Sequence, residues 1–190
     1  MKSLRTLELS SDGGIAALWT LPSLHTLLID NPYKPGLAVK NPKMSTLTSM
    51  IQRSQCPLRR IAIKSSNFKA YIDKEEIISL LQHTPLLANL HVTVSALSPS
   101  FFRAISRTRE KDPLVPALEN LHLSLETRCP PATIDAMLAF LESRFQATAS
   151  SSHHQLISAA VALDRSGLAA PSRSYRLKKL TDAGLAFDAL

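Results

Sequence analysis

The chain has 190 residues, 45% of them hydrophobic, 19% charged and only 5% aromatic. These values exclude a disordered, collagenous or disulfide-dense polypeptide and leave room for one substantial domain with an aliphatic core. The net charge of +7 is concentrated, since residues 1 to 72 hold ten Lys/Arg against three acids, including Lys34, Lys40, Lys43, Arg53, Arg59, Arg60, Lys64 and Lys69.

In chain order, the first element is an aliphatic phrase, Leu4, Leu7 and Leu9, which fits Leu-x-x-Leu-x-Leu. Gly13-Gly14 then breaks the strand, and Ile15 to Trp19 reads as a short helix. The second phrase is Leu24, Leu27 and Ile29, closed by the turn cluster Asp30-Asn31-Pro32. A polar loop carrying Pro32, Pro35, Gly36 and Pro42 leads to a helix over Lys43 to Arg53, where Met44, Leu47, Met50 and Ile51 recur at helical spacing.

The third phrase is Leu58, Ile61 and Ile63. Its following helix has Asp73 as N-cap with Glu76 three residues on, and Ile77, Ile78, Leu80 and Leu81 as the buried stripe. The fourth phrase, Leu87, Leu90 and Val92, precedes Ser98-Pro99, a cap and first-turn proline, and a helix burying Phe101, Phe102 and Ile105. The fifth, Leu118, Leu121 and Leu123, precedes Pro130-Pro131 and an amphipathic helix with Ile134, Met137, Leu138 and Leu141, ending near Arg144. Ala149 to His154 reads as a polar linker before a degenerate sixth phrase at Leu156, Ala159 and Val161. A helix around Tyr175 to Asp182 and a final strand Leu185-Ala186-Phe187 end the series.

The phrases begin at Leu4, Leu24, Leu58, Leu87, Leu118 and Leu156, and helical segments separate them. This alternation predicts an α/β fold. Its form is a leucine-rich-repeat solenoid of five to six irregular repeats in one domain, with parallel strands on the concave face and helices on the convex face. Nothing precedes Leu4 to cover the first strand, which predicts a fragment, a truncated product or a chain packed against something else.

Alternation along a strand turns the leucines inward and the residues between them outward. The outward set is Thr6, Glu8 and Ser10; Thr26, Leu28 and Asp30; Arg60, Ala62 and Lys64; Asn89, His91 and Thr93; and Asn120, His122 and Ser124. Strands about 4.8 Å apart place Asn89 beside Asn120 and His91 beside His122. The candidate partner-binding residues are therefore Arg60, Lys64, Asn89, His91, Thr93, Asn120, His122 and Ser124.

Catalytic and cofactor signatures are missing from the sequence. There is no phosphate-binding or dinucleotide glycine motif and no Gly-x-Ser-x-Gly elbow. His153-His154 lies in a serine-rich stretch without further ligands, and Cys56 precedes Pro57 as a small buried or half-buried residue without a base. A non-enzymatic protein with no cofactor and no metal is expected. Cys56 and Cys129 are the only cysteines, and no signal peptide, glycosylation acceptor or membrane-spanning run is visible. A cytoplasmic or nuclear location is expected.

The residues Ser54-Gln55-Cys56-Pro57-Leu58-Arg59-Arg60-Ile61-Ala62-Ile63 and Ile77-Ile78-Ser79-Leu80-Leu81-Gln82-His83-Thr84-Pro85-Leu86-Leu87-Ala88-Asn89-Leu90 resemble the leucine-rich part of mushroom-type fungal F-box proteins. Leu138-Ala139-Phe140-Leu141-Glu142-Ser143-Arg144 fits the same pattern, as does the stretch from Leu177-Lys178-Lys179-Leu180 to Gly184-Leu185. The resemblance implies the substrate-binding repeats of a ubiquitin-ligase receptor, with a protein target. No Leu-Pro-x-Glu-led F-box segment occurs in this sequence, so contact with a ligase adaptor is not expected from it. The alternative is that the basic N-terminal third holds nucleic acid or an anionic membrane, or that the chain is a truncated product without independent function.

Overall fold

Every leucine-led phrase forms a strand, and the strands pair in the order in which they occur. A computed structural model describes residues 3–9, 18–31, 44–65, 74–94, 97–106, 114–125, 129–145, 156–163 and 170–189. The elements are β1 (Thr6–Leu9), β2 (Thr26–Asn31), α1 (Met44–Ser54), β3 (Arg60–Ser65), α2 (Lys74–Gln82), β4 (Asn89–Val94), α3 (Pro99–Ile105), β5 (Asn120–Leu125), α4 (Pro131–Phe145), β6 (Ser158–Leu163), α5 (Pro171–Asp182) and β7 (Ala186–Ala189). They make an α/β, repeat-like architecture around one seven-stranded sheet of order β1-β2-β3-β4-β5-β6-β7. Every neighbouring pair is parallel.

Parallel strands need a crossover connection, and from β2 onward each crossover contains one helix. The helices cover one face of the sheet. Leu27 and Ile29, Ile61 and Ile63, Leu90 and Val92, Leu121 and Leu123, and Ala159 and Val161 join Met44, Leu47, Ile77, Leu80, Phe101, Phe102, Met137 and Leu141 in a single buried cluster. Phe102 packs its ring between Phe101 (centroids 5.4 Å apart, edge-on) and Phe140 (6.3 Å), knitting α3 to α4.

The same backbone device starts one strand after another. The carbonyl before a strand accepts two N–H groups from the next repeat: Arg5 from His25 and Thr26, His25 from Arg59 and Arg60, Arg59 from Ala88 and Asn89. Ala88 then accepts from Glu119 and Asn120, and Glu119 from Ile157 and Ser158, all between 2.8 and 3.1 Å. Before three of the strands a tight turn brings the entry leucine into the core, with Leu24 N–H donating to Leu21, Leu87 to Thr84 and Leu118 to Val115.

Helix ends follow local chemistry. Ser98 caps α3, its Oγ accepting the Phe101 N–H at 3.3 Å with Pro99 in the first turn. At the end of α5, Gly184 has φ +104°, and Leu185 N–H donates to Leu180 while Gly184 N–H donates to Thr181. With Leu180 and Leu185 both buried, this is a Schellman ending closed by its apolar contact. It also explains a shift from the expected boundary: Leu185 is consumed by the helix ending, so β7 begins one residue later at Ala186. Helix α5 starts at Pro171, ahead of the expected Tyr175, because proline presets the first-turn φ there and needs no N–H partner. The Ile15–Trp19 helix (apart from Leu18 and Trp19), the Asp73 cap and the Ala149–His154 linker lie outside the described residues.

Several polar contacts bind the helical layer. Ser54 is buried, accepts the Leu21 N–H at 2.8 Å and donates to the Met50 carbonyl at 2.6 Å, joining the β2 entry turn to α1. Arg144, 3% exposed, donates to the carbonyls of Val115 (2.7 Å) and Pro116 (3.5 Å) at the entry to β5. Two bidentate forks tie α5 to α4, from Arg173 to Asp135 (2.8 and 2.9 Å) and from Arg176 to Glu142 (2.7 and 2.8 Å). The Arg173 fork holds the Asp135 carboxyl below its ordinary range.

Two positions carry opposite backbone predictions. Gln55, after α1, has φ 44° without being glycine. Gln55→Gly is expected to raise stability by about 0.5–1 kcal/mol, and Gly184→Ala to lower it by about 1 kcal/mol although no atom would meet the new Cβ. Urea unfolding of the two variants checks both signs.

Candidate functional site

The sheet face turned away from the described helices is built by the same alternation that fills the core. Register places its side chains in three rows across the strands. The first runs Thr6, Thr26, Arg60, Asn89, Asn120 and Ser158. The second runs Glu8, Leu28, Ala62, His91, His122, Ala160 and Ala186. The third runs Asp30, Lys64, Thr93, Ser124 and Ala162.

All eight sequence-predicted residues are on this face. Asn89 pairs in register with Asn120, His91 with His122 and Thr93 with Ser124, as the strand spacing predicts. Arg60 and Lys64 stand one strand away, level with Asn89 and Thr93. Ala62 also has the expected orientation, but it is only 4% exposed and adds almost no surface. It lies between Leu28 and His91 in the row.

The imidazoles of His91 and His122 are stacked obliquely, with centroids 4.1 Å apart and planes at 49°. His91 Nε2 lies 3.2 Å from the Thr93 hydroxyl. Desolvation by burial, then the neighbouring His122, Lys64 and Arg60, lower the His91 pKa from 6.5 to about 4. His91 is therefore neutral at pH 7.

Two hollows share the flanks of Arg60 and His91. One, of about 270 Å³, is lined by Arg60, Asn89, His91, Asn120, His122 and Ser158 over a floor of strand backbone and Ala160. The other, of about 140 Å³, adjoins Glu8, Asp30, Arg60, Lys64 and His91. Sequence reasoning left out Ser158 and Ala160, although the alternation applied to β6 would have supplied both. It also placed Glu8 and Asp30 on this face without recognising that they give one end of the surface the opposite charge.

Among the described residues, no three His, Cys, Asp or Glu side chains gather to hold a metal ion. Burial pushes the Cys56 thiol up, away from the reactive thiolate. No helix among the described residues is long and apolar enough to cross a membrane. Of the basic N-terminal cluster, Arg53, Arg59, Arg60 and Lys64 are exposed, whereas Lys34, Lys40, Lys43 and Lys69 lie outside the described residues. No protein-family model, curated protein or solved structure matches this chain.

The depressed His91 pKa fixes the sign of a pH effect. The folded chain keeps His91 neutral down to about pH 4, while the unfolded chain takes up a proton near 6.5. Acid therefore favours unfolding, and the contribution is lost as pH falls from about 6.5 towards 4. Urea midpoints measured at pH 7.0 and 5.0 should fall less for His91→Asn than for the wild-type chain. Equal falls would remove His91 from the acid response.

Proposed function

We propose that the chain is a non-enzymatic protein-binding module, a leucine-rich-repeat solenoid whose open, concave sheet face engages a protein target. The observation that carries this reading is the division of the sheet. One face is a continuous aliphatic core under the helices, and the other presents aligned rows of charged, amide, imidazole and hydroxyl groups that no helix among the described residues covers. A stack of strand–helix units builds such a surface because each unit adds one strand's outward residues to a common row.

The phrases around Cys56-Pro57-Leu58 and Thr84-Pro85-Leu86-Leu87 support the narrower proposal that the module corresponds to the target-binding repeats of mushroom-type fungal F-box proteins. In that role it works in the cytoplasm or nucleus and holds a protein while other components act on it. The whole stack serves as one domain, since a single repeat cannot bury its own apolar face.

A pull-down compares the wild-type chain with His91→Ala/His122→Ala, Arg60→Glu/Lys64→Glu and, on α5, Tyr175→Ser, where Tyr175 is 72% exposed. The two open-face variants should lose captured partners, and the α5 variant should keep them. Undiminished capture by both open-face variants would refute the proposal. Capture that disappears steeply with added salt from nucleic acid or anionic vesicles would transfer the function to the basic surface.

A further inference from the structure

The larger hollow has an unusual complement of groups. Among the described residues its polar lining consists of one guanidinium, two carboxamides, two imidazoles and one hydroxyl, with no carboxylate. Each of these groups can donate a hydrogen bond, and the only permanent charge among them is positive. Neither Arg60 nor Lys64 forms an ion pair among the described residues. At about 270 Å³ the hollow is smaller than pockets for whole small molecules, and it suits one or two side chains.

We propose that this hollow is a carboxylate-binding site that receives an aspartate or glutamate side chain of the protein partner, seated between the Arg60 guanidinium and the His91–His122 pair. The inference rests on the open sheet face being the binding surface. Charge decides for a carboxylate over a phosphate. One guanidinium matches one negative charge, whereas a phosphate brings nearly two at neutral pH. The second permanent cation, Lys64, lines only the adjoining hollow, which it shares with Arg60, Glu8 and Asp30.

The surface also has a direction. Acids sit on β1 and β2, bases on β3, and donors without permanent charge on β4 to β6. From β2 to the histidine pair is two to three strand spacings, roughly 10–15 Å, or about three to four residues of extended peptide. A partner segment crossing the strands would place a basic residue over Glu8 and Asp30 and its acidic residue three or four positions away, over Arg60 and the histidines.

His91 makes the site sensitive to pH. His91 is faced by Arg60 and Lys64 from β3 and by His122 from β5, with Glu8 and Asp30 of β1 and β2 in the adjoining hollow. In the free chain its cationic neighbours and its burial oppose protonation. A bound carboxylate reverses the local field and favours the imidazolium, so binding takes up a proton. Affinity then rises as pH falls, by at most tenfold per pH unit for each proton taken up, until the carboxylate itself protonates near 4.

The test titrates the full-length ¹⁵N-labelled chain with blocked peptides of sequence Lys-Ala-Ala-Glu-Ala and Lys-Ala-Ala-Gln-Ala, following the imidazole signals of His91 and His122 at pH 5.5 and 7.5. The Glu peptide should shift both rings saturably and bind several-fold tighter at pH 5.5. The Gln peptide, and the Glu peptide with Arg60→Gln, should bind about tenfold or more weakly. Arg60 is exposed, and unchanged amide signals in the core confirm that the variant folds. Equal binding of the two peptides would overturn the carboxylate assignment while leaving the sheet face as the binding surface. Histidine signals unmoved by either peptide, or unaffected by Arg60→Gln, would also overturn it. Larger shifts from inorganic phosphate than from the Glu peptide would replace the carboxylate with a phosphate.

Discussion

Parallel pairing in unbroken sequence order is the constraint on which the rest of the molecule depends. One carbonyl ahead of each of β1 to β5 holds two N–H groups of the next strand, so register there is fixed at the strand's first residues and passed along the stack. Because side chains alternate with a period of two, a slip of one residue would exchange the core set for the open set. Leu121 and Leu123 would then face solvent, and His122 and Asn120 would enter an aliphatic core with few partners. Burial of the leucine ladder thus penalises misregister, and the polar rows are as well fixed as the core beneath them.

The helical layer reinforces this constraint from outside the sheet. Arg144 holds the two carbonyls that lead into β5, Ser54 ties the β2 entry turn to α1, and the Arg173 and Arg176 forks clamp α5 against α4. The forks lie near the surface, so each contributes modestly to stability. Their geometric value is greater, because two planar pairs fix the rotation of α5 as well as its position. The open face therefore rests on a stiff support, which suits recognition by side chains already in place.

The aligned face was legible because two simple periods combine. Leucine phrases mark the strands, alternation assigns each residue a side, and sequential parallel pairing converts Asn89-Leu90-His91 and Asn120-Leu121-His122 into neighbours. Less legible were features set by meetings between distant residues. Arg144 reads as a solvated helix-end cation until the structure places Val115 and Pro116, 29 and 28 residues away, against its guanidinium. The burial of Ala62, flanked in register by Leu28 and His91 on neighbouring strands, is recorded by no pattern within β3. The hollow likewise exists only once four strands contribute, and the weak aliphatic content of β6 concealed Ser158 as one of its walls.

Register and imidazole pairing meet at a single observable, since the parallel, in-step pairing of β4 and β5 brings His91 against His122. A nuclear Overhauser measurement between the ring protons of the two histidines in the unmodified chain therefore bears most directly on the account. With centroids 4.1 Å apart, a strong cross-peak between His91 and His122 is predicted. Absence of that cross-peak, with His91 instead contacting Leu121 or Leu123, would contradict the register and the site built on it.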